Sequence, residues 1–249
     1  MKIAKKVLKT IGVLLGFIVV IVLGYIIYLY ASYHRIEDNK SLSVESHTET
    51  KQTLTTGKQY SAITYNIGFG AYTPDFSFFM DGGKSSWAKS KKSVLKTVKN
   101  AGNLTKSYDP DFALIEEIDL NSTRSYHVNE YSILKKCLKN YDTVFAQNYD
   151  SAFLFYPFPR NMLPEHFSFC MDQLPKKENL WNSSRNADMK YIPGKTYTVT
   201  LDGFIISDNV KCDMYKNINT GYSYSDHDPV YVKFELNKES VLNKFKLKN

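Results

Sequence analysis

The sequence predicts a mixed α/β domain carried behind a single apolar helix. Three observations lead there. Residues 11–31 contain no charged side chain. Short β-rich runs at 61–67, 112–118, 196–206 and 230–236 are separated by helical patterns and polar turns. Four polar residues, Asn66, Glu117, Asp202 and His227, stand in or beside those runs, where loops above a sheet tend to carry function.

The uncharged segment is long enough to cross a bilayer core of about 30 Å at about 1.5 Å per helical residue. Tyr25, Tyr28, Tyr30 and Tyr33 crowd its far end, as expected of rings that prefer the membrane interface. Lys2, Lys5, Lys6 and Lys9 precede it, and His34, Arg35, Glu37 and Asp38 follow it. The positive-inside rule then leaves the N-terminus cytoplasmic and the rest outside the membrane. The expectation is a single-pass protein of a bacterial cell membrane with an extracytoplasmic domain. A cleaved signal peptide is the rival reading, but it calls for a shorter apolar region and a small-residue cleavage site that Leu29-Tyr30-Ala31-Ser32 matches poorly.

The 249 residues allow one domain of moderate size plus a tail. Of the formal net charge of +7, residues 1–10 carry +4 and the basic tail at 237–249 carries +3. Residues 11–236 are therefore balanced. The high isoelectric point resides in the two ends, and no nucleic-acid groove is expected. Cys137, Cys170 and Cys212 have neither disulfide-framework nor zinc-site spacing.

Residues 32–59 read as a stalk, because the Ser, Thr, Glu and Lys of 39–57 leave little to bury. The folded domain is expected at 60–236. Its first strand stops at Gly68-Phe69-Gly70 with Asn66 near its end. Residues 75–83 form an aromatic loop. Residues 87–106 follow as a helix with Trp87, Val94, Leu95, Val98 and Leu104 on its apolar stripe. Tyr108-Asp109-Pro110-Asp111 breaks that helix.

Residues 112–118 form a nearly continuous apolar run, which predicts a central strand covered on both faces. A carboxylate buried there is costly unless it is paired or binds a metal, which singles out Glu117. Alternation puts Glu116 on the opposite face. A second helix is expected at 128–138, and short strands at 143–146 and 151–156. The β-rich run at 196–206 carries Asp202 in its middle, the same costly placement. Finally, Asp226-His227-Asp228-Pro229 precedes the alternating run at 230–236. A neighbouring carboxylate can fix the tautomer of such a histidine and stabilise its imidazolium, as a general base requires.

Four pieces, in this order, carry a family resemblance. They are Thr64-Tyr65-Asn66-Ile67, Leu114-Ile115-Glu116-Glu117-Ile118-Asp119, Leu201-Asp202-Gly203-Phe204-Ile205 and Ser225-Asp226-His227-Asp228-Pro229-Val230. Together they resemble the endonuclease/exonuclease/phosphatase family of metal-dependent phosphoesterases. The resemblance implies a DNase I-like two-sheet α/β sandwich. It also implies a Mg²⁺ ion, or Mn²⁺ in its place, held by Glu117 with help from Asn66, which would also meet the substrate phosphate. Asp226 would join the metal site or its surroundings, His227 would face the attacking water, and Asp202 would orient the histidine. Mg²⁺ needs only one or two carboxylates besides waters and phosphate oxygens.

The chain departs from the family pattern in three ways. Glu116 stands where the family usually has Gln. No Asn-x-His or Gly-Asp-x-Asn strand lies between Glu117 and His227. The body at 60–236 is also shorter than the family's usual sandwich, as if several central strands had been deleted near 156–160. Two functions are therefore expected as alternatives. One is a phosphoester hydrolase acting on diesters or monoesters. The other is an inactive, tethered remnant that binds phosphate-bearing ligands.

Overall fold

The computed structural model describes residues 2–33, 36–47, 53–147 and 182–237. The expected strand at 151–156, the junction at 156–160 and the basic tail beyond Asn237 lie outside these. The chain divides into two compact units, Met1–Val44 with Val144–Leu163, and Glu45–Thr143 with Pro164–Asn249.

The first unit holds helix α1 (Lys2–Ser32), in which no residue is buried. Its 31 residues are long and apolar enough to cross a membrane, and a signal sequence would pass the same test. Strand β1 (Val44–Glu45) follows it in the chain.

The second unit is a mixed α/β fold. Its strands are β2 (Gln59–Asn66), β3 (Phe112–Glu116), β5 (Ser184–Arg185), β6 (Thr198–Val199), β7 (Val210–Asn217) and β8 (Val230–Leu236), while β4 (Thr143–Val144) falls where the chain passes from the second unit to the first. A four-stranded sheet runs in the order β3-β2-β8-β7, and β5 pairs with β6. β2 and β3 are parallel, with Asn66 opposite Glu116. β8 runs antiparallel to β2, with Val230 opposite Thr64. The C-terminal ends of β2 and β3 and the entry to β8 therefore share one end of the sheet.

β2 is the central strand, buried from Tyr60 to Tyr65. Tyr65 and Ile67 enter a core with Phe69, Val94 and Val98. Ile63 packs with Ile218 and Tyr231. Helix α2 (Lys91–Ser107) covers this face with Val94, Thr97, Val98, Ala101 and Thr105. It starts later than the apolar stripe predicts because Ser90 is extended and caps it, its side chain accepting from Ser93 N. Trp87 lies outside the helix, edge-on to Tyr126. Helix α3 (Glu130–Cys137) is capped by Asn129 in the same way.

Two expectations are corrected. The run at 112–118 is not a central strand: β3 is the edge strand of its sheet and alternates between half-buried and exposed positions. Phe112 and Leu114 are 39% and 50% exposed. A continuous apolar run permits burial on both faces but does not supply the neighbouring strand that burial needs. The run at 196–206 is not one strand either. Its strand is confined to Thr198 and Val199, and Leu201, Ile205 and Ile206 are exposed.

Candidate functional site

Gly68, Phe69 and Gly70 all have positive φ, at 51°, 39° and 65°. This run turns the chain sharply out of β2. A Cβ on Gly68 would lie 2.7 Å from Tyr72 Cδ2 and 3.3 Å from Asp226 Oδ1. Gly68 therefore has two reasons to lack a side chain, backbone conformation and close approach. Gly68→Ala is expected to lower stability by about 1–3 kcal/mol, read as a drop in the denaturant midpoint, and to displace Asp226.

Asn66 ends β2 and faces Glu117. Its Nδ2 donates to Glu117 Oε1 at 2.9 Å, and its Oδ1 accepts from Gly68 N at 2.9 Å. Glu117 follows β3 with φ of 55°, which ends the pleat. The expected opposition of Glu116 and Glu117 fails for that reason. Glu116 accepts from Thr64 Oγ1 at 3.0 Å, so both acids meet the same side of β2, where Thr64 and Asn66 project together. Glu117 is exposed rather than buried, which overturns the cost reasoning that singled it out while leaving its partner Asn66 in place. Phe69 N also binds the Glu117 carbonyl at 2.9 Å, fixing the two loops together.

The second pair is His227 with Asp202. Nδ1 of His227 lies 2.9 Å from both oxygens of Asp202, and the two side chains are 17% and 14% exposed. Asp226 feels the charges of both Glu117 and His227. Burial, and then the like charge of Glu117, push its carboxyl up to about 6, against the pull of His227 and Arg185. Burial disfavours protonation of His227, but the Asp202 bond and the charge of Asp226 outweigh it and hold its pKa at about 9. The imidazole is therefore protonated at neutral pH beside those acids. Asp228 plays a different part: it is buried and accepts from Thr220 N at 3.1 Å, bracing the loop before β8.

Several residues absent from the sequence reading support this end of the sheet. Arg124 donates from Nε and Nη2 to Asp119 at 3.0 and 2.9 Å and lies 3.9 Å from the centre of the Phe69 ring. Glu130 is fully buried, with Oε2 accepting from Asp119 N at 3.1 Å and Oε1 unpartnered. Burial, helped by the charge of Asp119, pushes its carboxyl up to about 9. Arg185 is 3% exposed and donates to the carbonyls of Tyr72, Thr73, Asn186 and Met189. An Asp two residues after Glu117 with an Arg five further on is too common a pattern to read. An acid in the first turn of a helix ordinarily reads as a surface residue favoured by the dipole.

Among the described residues, no group of three His, Cys, Asp or Glu side chains is placed to hold a metal ion. A Mg²⁺ site asks for less, since water and substrate oxygens complete its shell. The oxygen donors available are Glu117 and Asp226, whose like charges oppose one another and would be relieved by a cation. Asn66 bears on that position through its bond to Glu117, and its own oxygen keeps a second lone pair beyond the bond from Gly68 N.

No family model matches the chain, and no curated protein and no solved structure is similar to it.

Proposed function

We propose that this chain is a membrane-anchored phosphoesterase of the endonuclease/exonuclease/phosphatase type, hydrolysing phosphodiester or phosphomonoester bonds with Mg²⁺ on the outer side of a bacterial cell membrane. The observation that carries the reading is that two pairs from separate parts of the chain, Asn66 with Glu117 and His227 with Asp202, stand at one end of the sheet, with Asp226 near enough to feel the charges of both Glu117 and His227. A bound Mg²⁺ would neutralise charge on the phosphate and the leaving oxygen. Glu117 and Asp226 would hold it. His227, steadied by Asp202, would take a proton from the attacking water once positive charge beside Asp226 and Glu117 lowers its own affinity for protons. The half-exposed Phe112 and exposed Leu114 on edge strand β3 fit a DNase I-like sandwich that has lost strands at that edge. Helix α1 supports the anchor, with a cleaved leader as the rival that N-terminal sequencing of the mature protein decides.

A second reading is favoured by one observation. The Asp202 bond and the charge of Asp226 hold the His227 ring at a pKa of about 9, and an imidazolium suits a phosphate anion held without turnover. Hydrolysis of a generic aryl phosphodiester by the purified full chain, with Mg²⁺ and with chelator, separates the two. Chelator-sensitive release of the phenolate supports the hydrolase. Saturable phosphate binding without release supports the binding remnant.

A further inference from the structure

Asp202 sits in a stretch, residues 200–207, with no strand or helix of its own, next to exposed Leu201. A carboxylate that must hold a histidine ring needs a firmer anchor, and Ser183 supplies it. Ser183 is fully buried. Its Oγ donates to Asp202 Oδ2 at 2.7 Å and accepts from Asp202 N at 2.9 Å and from Leu201 N at 3.1 Å. One donor and two acceptors are the whole capacity of a hydroxyl, and all of it is spent on this one dipeptide.

Ser183 is itself tied to the histidine segment through the backbone. Its carbonyl accepts from Asp228 N at 2.6 Å, Arg185 N donates to the Asp226 carbonyl at 2.9 Å, and Ser184 forms an antiparallel bridge with His227. Asp202 and His227 are thus referred to the same short segment, one by a side chain and the other by a strand-like ladder. A relative displacement of the two would break bonds on both sides of it.

We propose that Ser183 is a positioning residue. Its hydroxyl fixes the Asp202 carboxylate so that His227 keeps its Nδ1 proton toward Asp202 and turns Nε2 to the phosphate ester. Its role in turnover rests on the phosphoesterase reading, but the hydrogen-bonded relay does not.

The test uses the full chain in detergent micelles with ¹⁵N-labelled histidine. The wild type is expected to show a downfield ring N–H proton that disappears in Asp202→Ala, which assigns it to His227. Ser183→Ala is expected to lose that signal to solvent exchange, and Ser183→Thr, which keeps the hydroxyl, to retain it. If turnover is present, Ser183→Ala should lower kcat about tenfold with KM unchanged, and Ser183→Thr should restore it. An unaltered signal in Ser183→Ala, its loss in both Ser183 variants alike, or its absence from the wild type would overturn the proposal. Should Ser183→Ala fail to fold, amide exchange in the wild type decides: Leu201 and Asp202 must be protected, and exchange at free-peptide rates refutes the anchor. Because the proton signal does not depend on catalysis, a chain that shows the relay without hydrolysis would sink only the phosphoesterase reading.

Discussion

His227→Ala is expected to lower Mg²⁺-dependent hydrolysis of an aryl phosphodiester by at least about 10²-fold, with little change in KM. A positioned proton acceptor contributes about 10²–10⁴ in rate, and among the described residues His227 is the histidine held by a carboxylate at the end of the sheet that carries Asn66 and Glu117. The loss should fall on kcat because the ring acts on the attacking water and not on ground-state binding. Steady-state kinetics at saturating Mg²⁺ provide the check. An equal loss in kcat and substrate affinity would instead place His227 in phosphate binding, the role a protonated ring allows.

Glu130→Gln is expected to stabilise the protein, and more so as pH rises. The folded state holds this carboxyl near pKa 9 against an ordinary value of 4.5, so its contribution is fully favourable only at low pH. Between those values the unfolded chain has released the proton and the folded chain has not, and stability falls by about 1.4 kcal/mol per pH unit. At neutral pH the accumulated loss is on the order of 3 kcal/mol by the same relation. Gln has no proton to release and keeps an oxygen for Asp119 N, which Glu130 now accepts. Thermal unfolding should show a Tm higher by several degrees at pH 8 and nearly unchanged at pH 4. An equal shift at both pH values would mean that Glu130 is ionised in the folded chain.

The parts of the fold that were legible are those in which local pattern and tertiary environment agree. Residues 61–67 read as a strand ending at glycine, and β2 ends at Asn66 before Gly68, because apolar alternation and a positive-φ turn leave one solution. The α2 stripe was readable at Val94 and Val98 but not at Leu95, which is 43% exposed. β7 went unread because its sequence, VKCDMYKN, is polar and mostly exposed along its length; an edge strand has no buried face to announce it. β3 misled in the opposite sense, since an apolar run does not say whether a neighbour covers it. In the site, Asn66, Glu117, Asp202 and His227 were legible as polar residues beside strands. Their partners were not. Ser183, Arg185 and Glu130 act through contacts made across the fold, and a lone serine or a helix-start glutamate carries no mark of that in the sequence.

Mn²⁺ titrated into the full chain, with paramagnetic broadening followed residue by residue, shows where the protein binds a divalent cation. One saturable site is expected, at which the signals of Asn66, Glu117, Asp226 and His227 broaden first, and which Glu117→Gln weakens at least about tenfold. Broadening centred elsewhere, or a site indifferent to Glu117→Gln, would contradict it.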